Sequence, residues 1–253
     1  MRRRLPGALL ALLLGTAAFA PAGPAAAGDC ARGTFEGTPF TACEVDPAAE
    51  DLRLFLADDD GAVWGGFSRL DGALRQGGAR LGVAMNGGMY HPDRRPVGLH
   101  VEGGREVSGL VTRAGPGNFG LLPNGVFCWG DGAARVIETL AFAAEAPDCR
   151  FATQSGPMLV IDGRLHPRFL PSSDSRFIRN GVGVRPDGTV VLAISDAPIT
   201  FHAFARLFRD ALGTPDALYI DGKVSRLWAP GIGRTDGFGL PLGPILGTVV
   251  PAD

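Results

Sequence analysis

Lysine is almost missing from this sequence: Lys223 is the only one in 253 residues, against 23 arginines. Neither sign of charge is in excess, with a formal net charge of −2, which excludes a nucleic-acid binder working through a broad basic surface. The signature of disorder, low hydrophobicity with high net charge, is also absent at 45% hydrophobic and 20% charged residues. The apolar run Leu9–Ala20 has twelve residues, short of the roughly 20 that a membrane helix needs. There is no phosphate loop of the G-x-x-x-x-G-K-[ST] kind, no G-x-G-x-x-G following a strand, no H-E-x-x-H and no G-x-S-x-G. The four histidines (His91, His100, His166, His202) are scattered, and C-x-x-C spacing is missing, so a zinc site is not expected. Asp58-Asp59-Asp60-Gly61 lacks the spaced ligands of a calcium loop and reads as a solvated turn. No metal and no cofactor are expected.

What is present begins with an address. Arg2-Arg3-Arg4, the apolar run and Ala25-Ala26-Ala27 make residues 1–27 a signal peptide cleaved after Ala27. The remainder, residues 28–253, reads as one mildly acidic domain with no transmembrane anchor, periplasmic or secreted in a bacterium. In an oxidising compartment Cys30, Cys43, Cys128 and Cys149 form disulfides. Three pairings are possible; the expected one is Cys30–Cys43 with Cys128–Cys149, because each pair encloses a short, hairpin-sized segment.

Gly 38 and Pro 20 are high counts without a repeat, pointing to many tight turns. Asn-Gly, Asp-Gly and Gly-Gly recur between short apolar runs: after Val97–Val101, between Val126–Trp129 and Ala134–Ile137, between Met158–Ile161 and Arg164-Leu165, and between Val182–Arg185 and Thr189–Ile194. A two-residue hairpin turn needs φ > 0 at its central positions, which these pairs supply, so four hairpins are predicted. Thr200–Leu212 has helical spacing with Thr200 as N-cap and Gly213 as stop, and a weaker helix covers Phe67–Arg75. The predicted fold is α+β: a twisted, mainly antiparallel sheet built from hairpins, with two or three packed helices. Each predicted helix precedes an apolar strand ending in a polar glycine turn, Leu81–Met85 into Asn86-Gly87-Gly88 and Ala217–Ile220 into Asp221-Gly222.

Four segments are polar where a structural protein has no need of it. Asn86-Gly87-Gly88-Met89-Tyr90 allows bare N–H groups to face an anion or a sugar oxygen. Thr153–Pro157 contains Ser155 and Gly156, and taken alone reads first as a polar loop entering a strand. Arg179 in R-F-I-R-N-G offers a planar fork to a phosphate, or is a surface arginine. Tyr219–Arg226 gathers the carboxylate of Asp221, the ammonium of Lys223 and the hydroxyl of Ser225 directly after a strand.

In this order the four segments resemble the phosphodiester glycosidase domain, the family of the lysosomal mannose-6-phosphate uncovering enzyme and of many bacterial exported proteins. The resemblance runs from about Leu52 to Val250 and rests on N-G-G-M-Y (Asn86–Tyr90), S-G-P-M-L-V (Ser155–Val160), R-N-G-V-G (Arg179–Gly183) and Y-I-D-G (Tyr219–Gly222) followed by Ser225. Lys223-Val224 stand where the uncovering-enzyme subgroup has a longer glycine run, the pattern of a compact bacterial branch. The resemblance implies hydrolysis of a sugar-1-phosphodiester at the glycosidic C1–O bond. The implied catalytic set is Asp221 as carboxylate with Asp196 as the second candidate, Arg179 on the phosphate, and Asn86. Gly87, Gly88, Tyr90, Ser155, Gly156, Gly222, Lys223 and Ser225 would contact substrate, a small glycan phosphodiester or a cell-envelope glycan. The alternative is an exported protein that binds such a glycan or a partner in the same pocket without turning it over. A serine acyl hydrolase through Ser155 or Ser225 lacks a positioned histidine.

Overall fold

The computed structural model describes residues 28–252, and the expected leader, 1–27, lies outside the described residues. The chain opens with β1 (Asp29–Phe35), β2 (Thr38–Val45), β3 (Asp51–Phe55), α1 (Phe67–Gln76) and β4 (Ala79–Asn86). It continues through β5 (His100–Glu102), β6 (Arg105–Ser108), β7 (Gly125–Gly130), β8 (Ala133–Glu138), α2 (Thr139–Glu145), β9 (Phe151–Ser155), β10 (Met158–Ile161) and β11 (Arg164–Leu165). The last part holds β12 (Asn180–Val184), β13 (Val190–Ser195), α3 (Phe201–Arg206), β14 (Asp216–Asp221), β15 (Leu227–Ala229), β16 (Arg234–Thr235) and β17 (Ile245–Pro251).

The strands pair antiparallel in three sheets: β1-β2-β13-β12-β14-β10-β11, β16-β15-β4-β17-β3 and β6-β5-β9-β7-β8. The fold is α+β, as predicted. All four expected hairpins form, as β5–β6, β7–β8, β10–β11 and β12–β13. At Asp131-Gly132 and Asp162-Gly163 both turn residues have positive φ (50° and 78°, 47° and 74°), the geometry that Asp-Gly favours. A fifth hairpin, β1–β2, turns at Glu36-Gly37 (φ 48° and 78°), and Glu is a weaker signal for that position than Asp or Asn. The cysteines pair as expected: Cys30–Cys43 joins directly opposed positions of β1 and β2, and Cys128–Cys149 ties β7 to the segment before β9.

The inner faces of the three sheets share one core. Leu192 and Ile194 of β13, Val83 and Met85 of β4, and Phe127 and Trp129 of β7 all belong to it. Each outer face carries a helix. Phe204 of α3, with Phe208 and Leu212 beyond it, covers Val191, Ala193, Ala217 and Tyr219; Phe67 and Leu70 of α1 cover Leu81 and Ala84; Phe142 of α2 covers Val126 and Ile137. Thr200 caps α3 through its Oγ1, which accepts the Ala203 N–H at 3.2 Å, and residues 207–211 relax into a π-helical turn closed by Leu212 N–H to Leu207 O. Burying one such Leu or Phe contributes about 1.5–3 kcal/mol, so these helices are held by their apolar faces more than by their short backbones. Because β13 is buried on both sides, its residues read as a continuous apolar run, Val190–Ile194, in place of an alternating one.

Candidate active site

Three strand ends from two sheets meet at one place: Asn86 closes β4, Asn180 opens β12 and Asp221 closes β14. Asn86 and Asn180 are fully buried. Asn180 Nδ2 donates to Asn86 Oδ1 at 2.7 Å, and Asn86 Nδ2 returns a longer bond to Asn180 Oδ1 at 3.5 Å. The same two oxygens accept main-chain N–H groups, Asn86 Oδ1 from Arg226 and Asn180 Oδ1 from Asp221, both at 3.0 Å. The amides therefore pin the 221–226 turn at both ends. Ser225 Oγ closes it from within, donating to Asp221 O at 2.7 Å.

The side chain of Asp221 stands at the start of this turn, where Oδ1 accepts the N–H groups of Gly222 and Lys223. Burial pushes its carboxyl above the usual carboxylate value, against the opposing pull of the N–H groups of Lys223, Gly222 and Val224 and of the Lys223 charge. Asp221 lines a cavity of about 590 Å³ with Tyr90, Arg94, Tyr219, Gly222 and Lys223, a volume within the usual span for small-ligand sites. Among the described residues that line it, Asp221 is the single carboxylate, while Arg94, Lys223 and His91 bring basic groups. Arg94 sits at positive φ (71°) in a turn closed by Arg94 N–H to His91 O, which sets its guanidinium 5.0 Å from the Tyr90 ring.

Tyr219 is packed behind Asp221. Its ring meets Phe201 edge-on at 4.7 Å, and burial drives its hydroxyl far above the ordinary tyrosine value. Gly222 is required by this ring: a Cβ there would fall 2.1 Å from Tyr219 Oη.

Several expected contacts fall elsewhere. Arg179 does not offer a free fork to the cavity: Nε donates to Ile199 O at 2.9 Å, Nη2 to Ser175 O at 3.1 Å, and the guanidinium lies 3.6 Å over the Phe201 ring. Burial without a carboxylate partner lowers its pKa, and the neighbour it supports is Tyr219. Asp196 is held by Arg234 Nη1 and Thr41 Oγ1 and is not among the cavity-lining residues. Asp196 lies just past the end of β13, where its main-chain N–H donates to Pro39 O and its carboxylate turns to Arg234 and Thr41.

Gly87 and Gly88 serve packing. Gly87 N–H donates to Pro244 O and its carbonyl accepts Thr153 Oγ1, both at 2.7 Å; a Cβ on Gly87 would be 2.8 Å from Leu246 N, and one on Gly88 2.7 Å from Thr153 Oγ1. Ser155 is buried and donates to Ile220 O at 3.0 Å, and a Cβ on Gly156 would strike Asn124 at 2.6 Å. These residues shape the floor that carries Asp221. Tyr90, Asp221, Gly222 and Lys223 are brought together at the cavity. Arg94 and Phe177 join them there without having been singled out, although H-P-D-R-R directly after N-G-G-M-Y is the signal for the first.

The profile described as phosphodiester glycosidase matches residues 79–236, from the start of β4 past the 221–226 turn. The Escherichia coli uncharacterized protein YigE is 34% identical over 206 residues, 81% of this chain and 80% of that protein. Two solved structures share the fold at low identity. The catalytic domain of zebrafish N-acetylglucosamine-1-phosphodiester α-N-acetylglucosaminidase superposes with a TM-score of 0.60 at 12% identity, over 87% of this chain and 82% of that one. A hypothetical protein from Synechocystis gives 0.58 at 14%, over 88% of this chain and 62% of that one.

Proposed function

The chain belongs to the phosphodiester glycosidase family, and we propose from that premise that it hydrolyses the C1–O bond of a sugar-1-phosphodiester, releasing free sugar and a phosphomonoester. The observation that carries the reading is Asp221, the single carboxylate among the described cavity-lining residues, surrounded by basic groups. Glycoside hydrolases ordinarily need two carboxyl groups because a sugar alkoxide leaves only when protonated. A phosphodiester leaves as an already acidic phosphate, so the acid's task falls away and cationic side chains can take the departing charge. Arg94 and Lys223 hold the phosphate in this reading. Asp221, ionised, then acts at C1, as base for the attacking water or as stabiliser of the oxocarbenium-like centre. Its raised pKa is an asset for a base working near neutrality.

We place the reaction outside the cytoplasm, a reading supported by the two disulfides and by the leader expected at residues 1–27. Among the described residues no helix is long and apolar enough to cross a membrane.

The test is incubation of the purified protein with a panel of sugar-1-phosphodiesters in ¹⁸O-labelled water, followed by mass spectrometry. The expected products are a labelled free sugar and an unlabelled phosphomonoester. Label in the phosphate would mean P–O cleavage and a phosphodiesterase. No turnover of any member of the panel, with binding retained, would leave the glycan-binding alternative.

A further inference from the structure

The reaction proposed above uses Asp221 at C1 and Arg94 and Lys223 at the phosphate; His91, Asn118, Tyr90 and Tyr219 are the other polar side chains of the lining. Much of the rest is apolar: Met89, Val97, Phe177, Val224 and Leu240. The hydroxyl of Tyr90 is engaged with Pro241 O at 2.9 Å. A sugar on the far side of the phosphate would bring a hydroxyl on nearly every carbon, and beyond His91 and Asn118 this wall has little to pair with them.

The rim is more telling. Phe177 is 54% exposed and Leu240 64% exposed, and Phe238, close by in sequence, is fully exposed. Large apolar side chains gathered at the mouth of a pocket mark a surface that a ligand covers. Both rim positions are built. Phe177 exchanges two main-chain hydrogen bonds with Ile199, at 3.2 and 2.9 Å. Leu240 O accepts from the guanidinium of Arg226, and Gly239, at φ +125°, admits that guanidinium where a Cβ would lie 2.9 Å from Nη2. Two exposed hydrophobic groups are thus presented on anchored backbone beside a cationic phosphate site.

We propose that the group esterified to the phosphate is apolar: the substrate is the sugar-1-phosphodiester of a long-chain alcohol, alkyl or isoprenoid, packed on Met89, Val97 and Val224 and leaving past Phe177 and Leu240. The inference rests on the glycosidase reading for the site's orientation, but the apolar subsite can be tested without turnover. Calorimetric titration with octyl phosphate below its micelle concentration, and with glycerol phosphate, reads the subsite directly. Octyl phosphate is expected to bind at least about tenfold tighter, since each buried methylene is worth about fourfold. The Phe177→Ser/Leu240→Ser pair, at exposed positions, should remove most of that advantage and weaken glycerol phosphate far less.

In turnover, the octyl ester of N-acetylglucosamine-1-phosphate should exceed the methyl ester at least about tenfold in kcat/KM. Equal affinity for the two phosphates, or octyl binding indifferent to both substitutions, overturns the inference. Octyl phosphate binding that depends on Phe177 and Leu240, with no turnover of any phosphodiester, removes the glycosidase reading and leaves the apolar subsite standing. Turnover that favours the methyl ester does the reverse.

Discussion

Asn180 Nδ2 donates to Asn86 Oδ1 at 2.7 Å across the seam between two sheets, and the two amides leave their oxygens to hold the main chain of Arg226 and Asp221. Neither side chain is exposed, and the pair braces the seam from which Asp221 projects. In the proposed reaction the Asp221 carboxylate would thus be aimed by two amides that bind its turn through the main chain.

Asn180→Ala removes an acceptor from the Asp221 N–H and a donor from Asn86 at once. Each buried group left unpaired costs about 1–3 kcal/mol. Denaturant unfolding should show that loss, and turnover should fall with it because the Asp221 main chain is no longer held. A variant of unchanged stability with a raised KM would show instead that Asn180 contacts the ligand.

Asp221→Asn is nearly isosteric and should lower turnover by at least about 10²-fold, the scale of one acid–base participant. The stability effect has a definite sign. Burial raises the folded-state pKa of Asp221 above its unfolded value, so the native protein binds this proton more tightly and loses stability as pH rises from the unfolded pKa to the folded one. Asparagine has no proton to lose. The variant should therefore gain on the wild type in melting temperature above that window, and lose the gain below the unfolded pKa. The acid limb of wild-type kcat/KM should lie above the ordinary aspartate range and vanish in the variant. A variant that turns over normally ends the mechanism.

The hairpins were legible because Asp-Gly and Gly-Gly between apolar runs are local turn signals, and the two longer helices because their apolar faces repeat at helical spacing. Glu36-Gly37 shows the limit: the turn forms because the paired strands and the Cys30–Cys43 bridge favour it, which no pair of turn residues reveals. In the site, Asp221 and Lys223 were legible as polar groups crowded after an apolar strand. The roles of Arg179, Asp196, Gly87 and Gly88 were not. Each depends on which face of a strand it occupies, or on a neighbour such as Pro244 or Arg234 far away in the chain. A glycine needed for close backbone packing and one needed for a ligand look alike until that neighbour is in place.

Arg94→Ala and Lys223→Ala should each lower kcat/KM by roughly 10- to 100-fold, from loss of one charge-assisted contact to a phosphate in a partly screened site. The loss should be steeper at low ionic strength, because salt weakens the wild-type contact most. Lys223→Arg exchanges a compact ammonium for a wide fork and should restore only part of the rate. Steady-state kinetics on one phosphodiester at two salt concentrations is sufficient. Wild-type kcat/KM for either alanine variant would make that residue a bystander.

Gly222 and Tyr219 make the most exacting demand on the site. A Cβ at residue 222 would lie 2.1 Å from Tyr219 Oη and 3.3 Å from Cζ, and the ring cannot readily swing aside because Phe201 meets it edge-on at 4.7 Å. Gly222→Ala must therefore shift the turn whose N–H groups bind Asp221 Oδ1, costing about 1–3 kcal/mol of stability and most of the activity. Tyr219→Phe deletes the clashing oxygen and leaves a tight but bearable carbon contact. The double variant Gly222→Ala/Tyr219→Phe should be more stable than the two single effects predict, with a coupling of about 0.5–3 kcal/mol. Additive effects would mean that the turn is shaped by something other than this hydroxyl. Turnover adds a second reading. The stability of the double variant should return while its rate stays roughly tenfold down, because Tyr219, which Arg179 supports, also lines the cavity. Full recovery of both would assign Tyr219 a packing role alone.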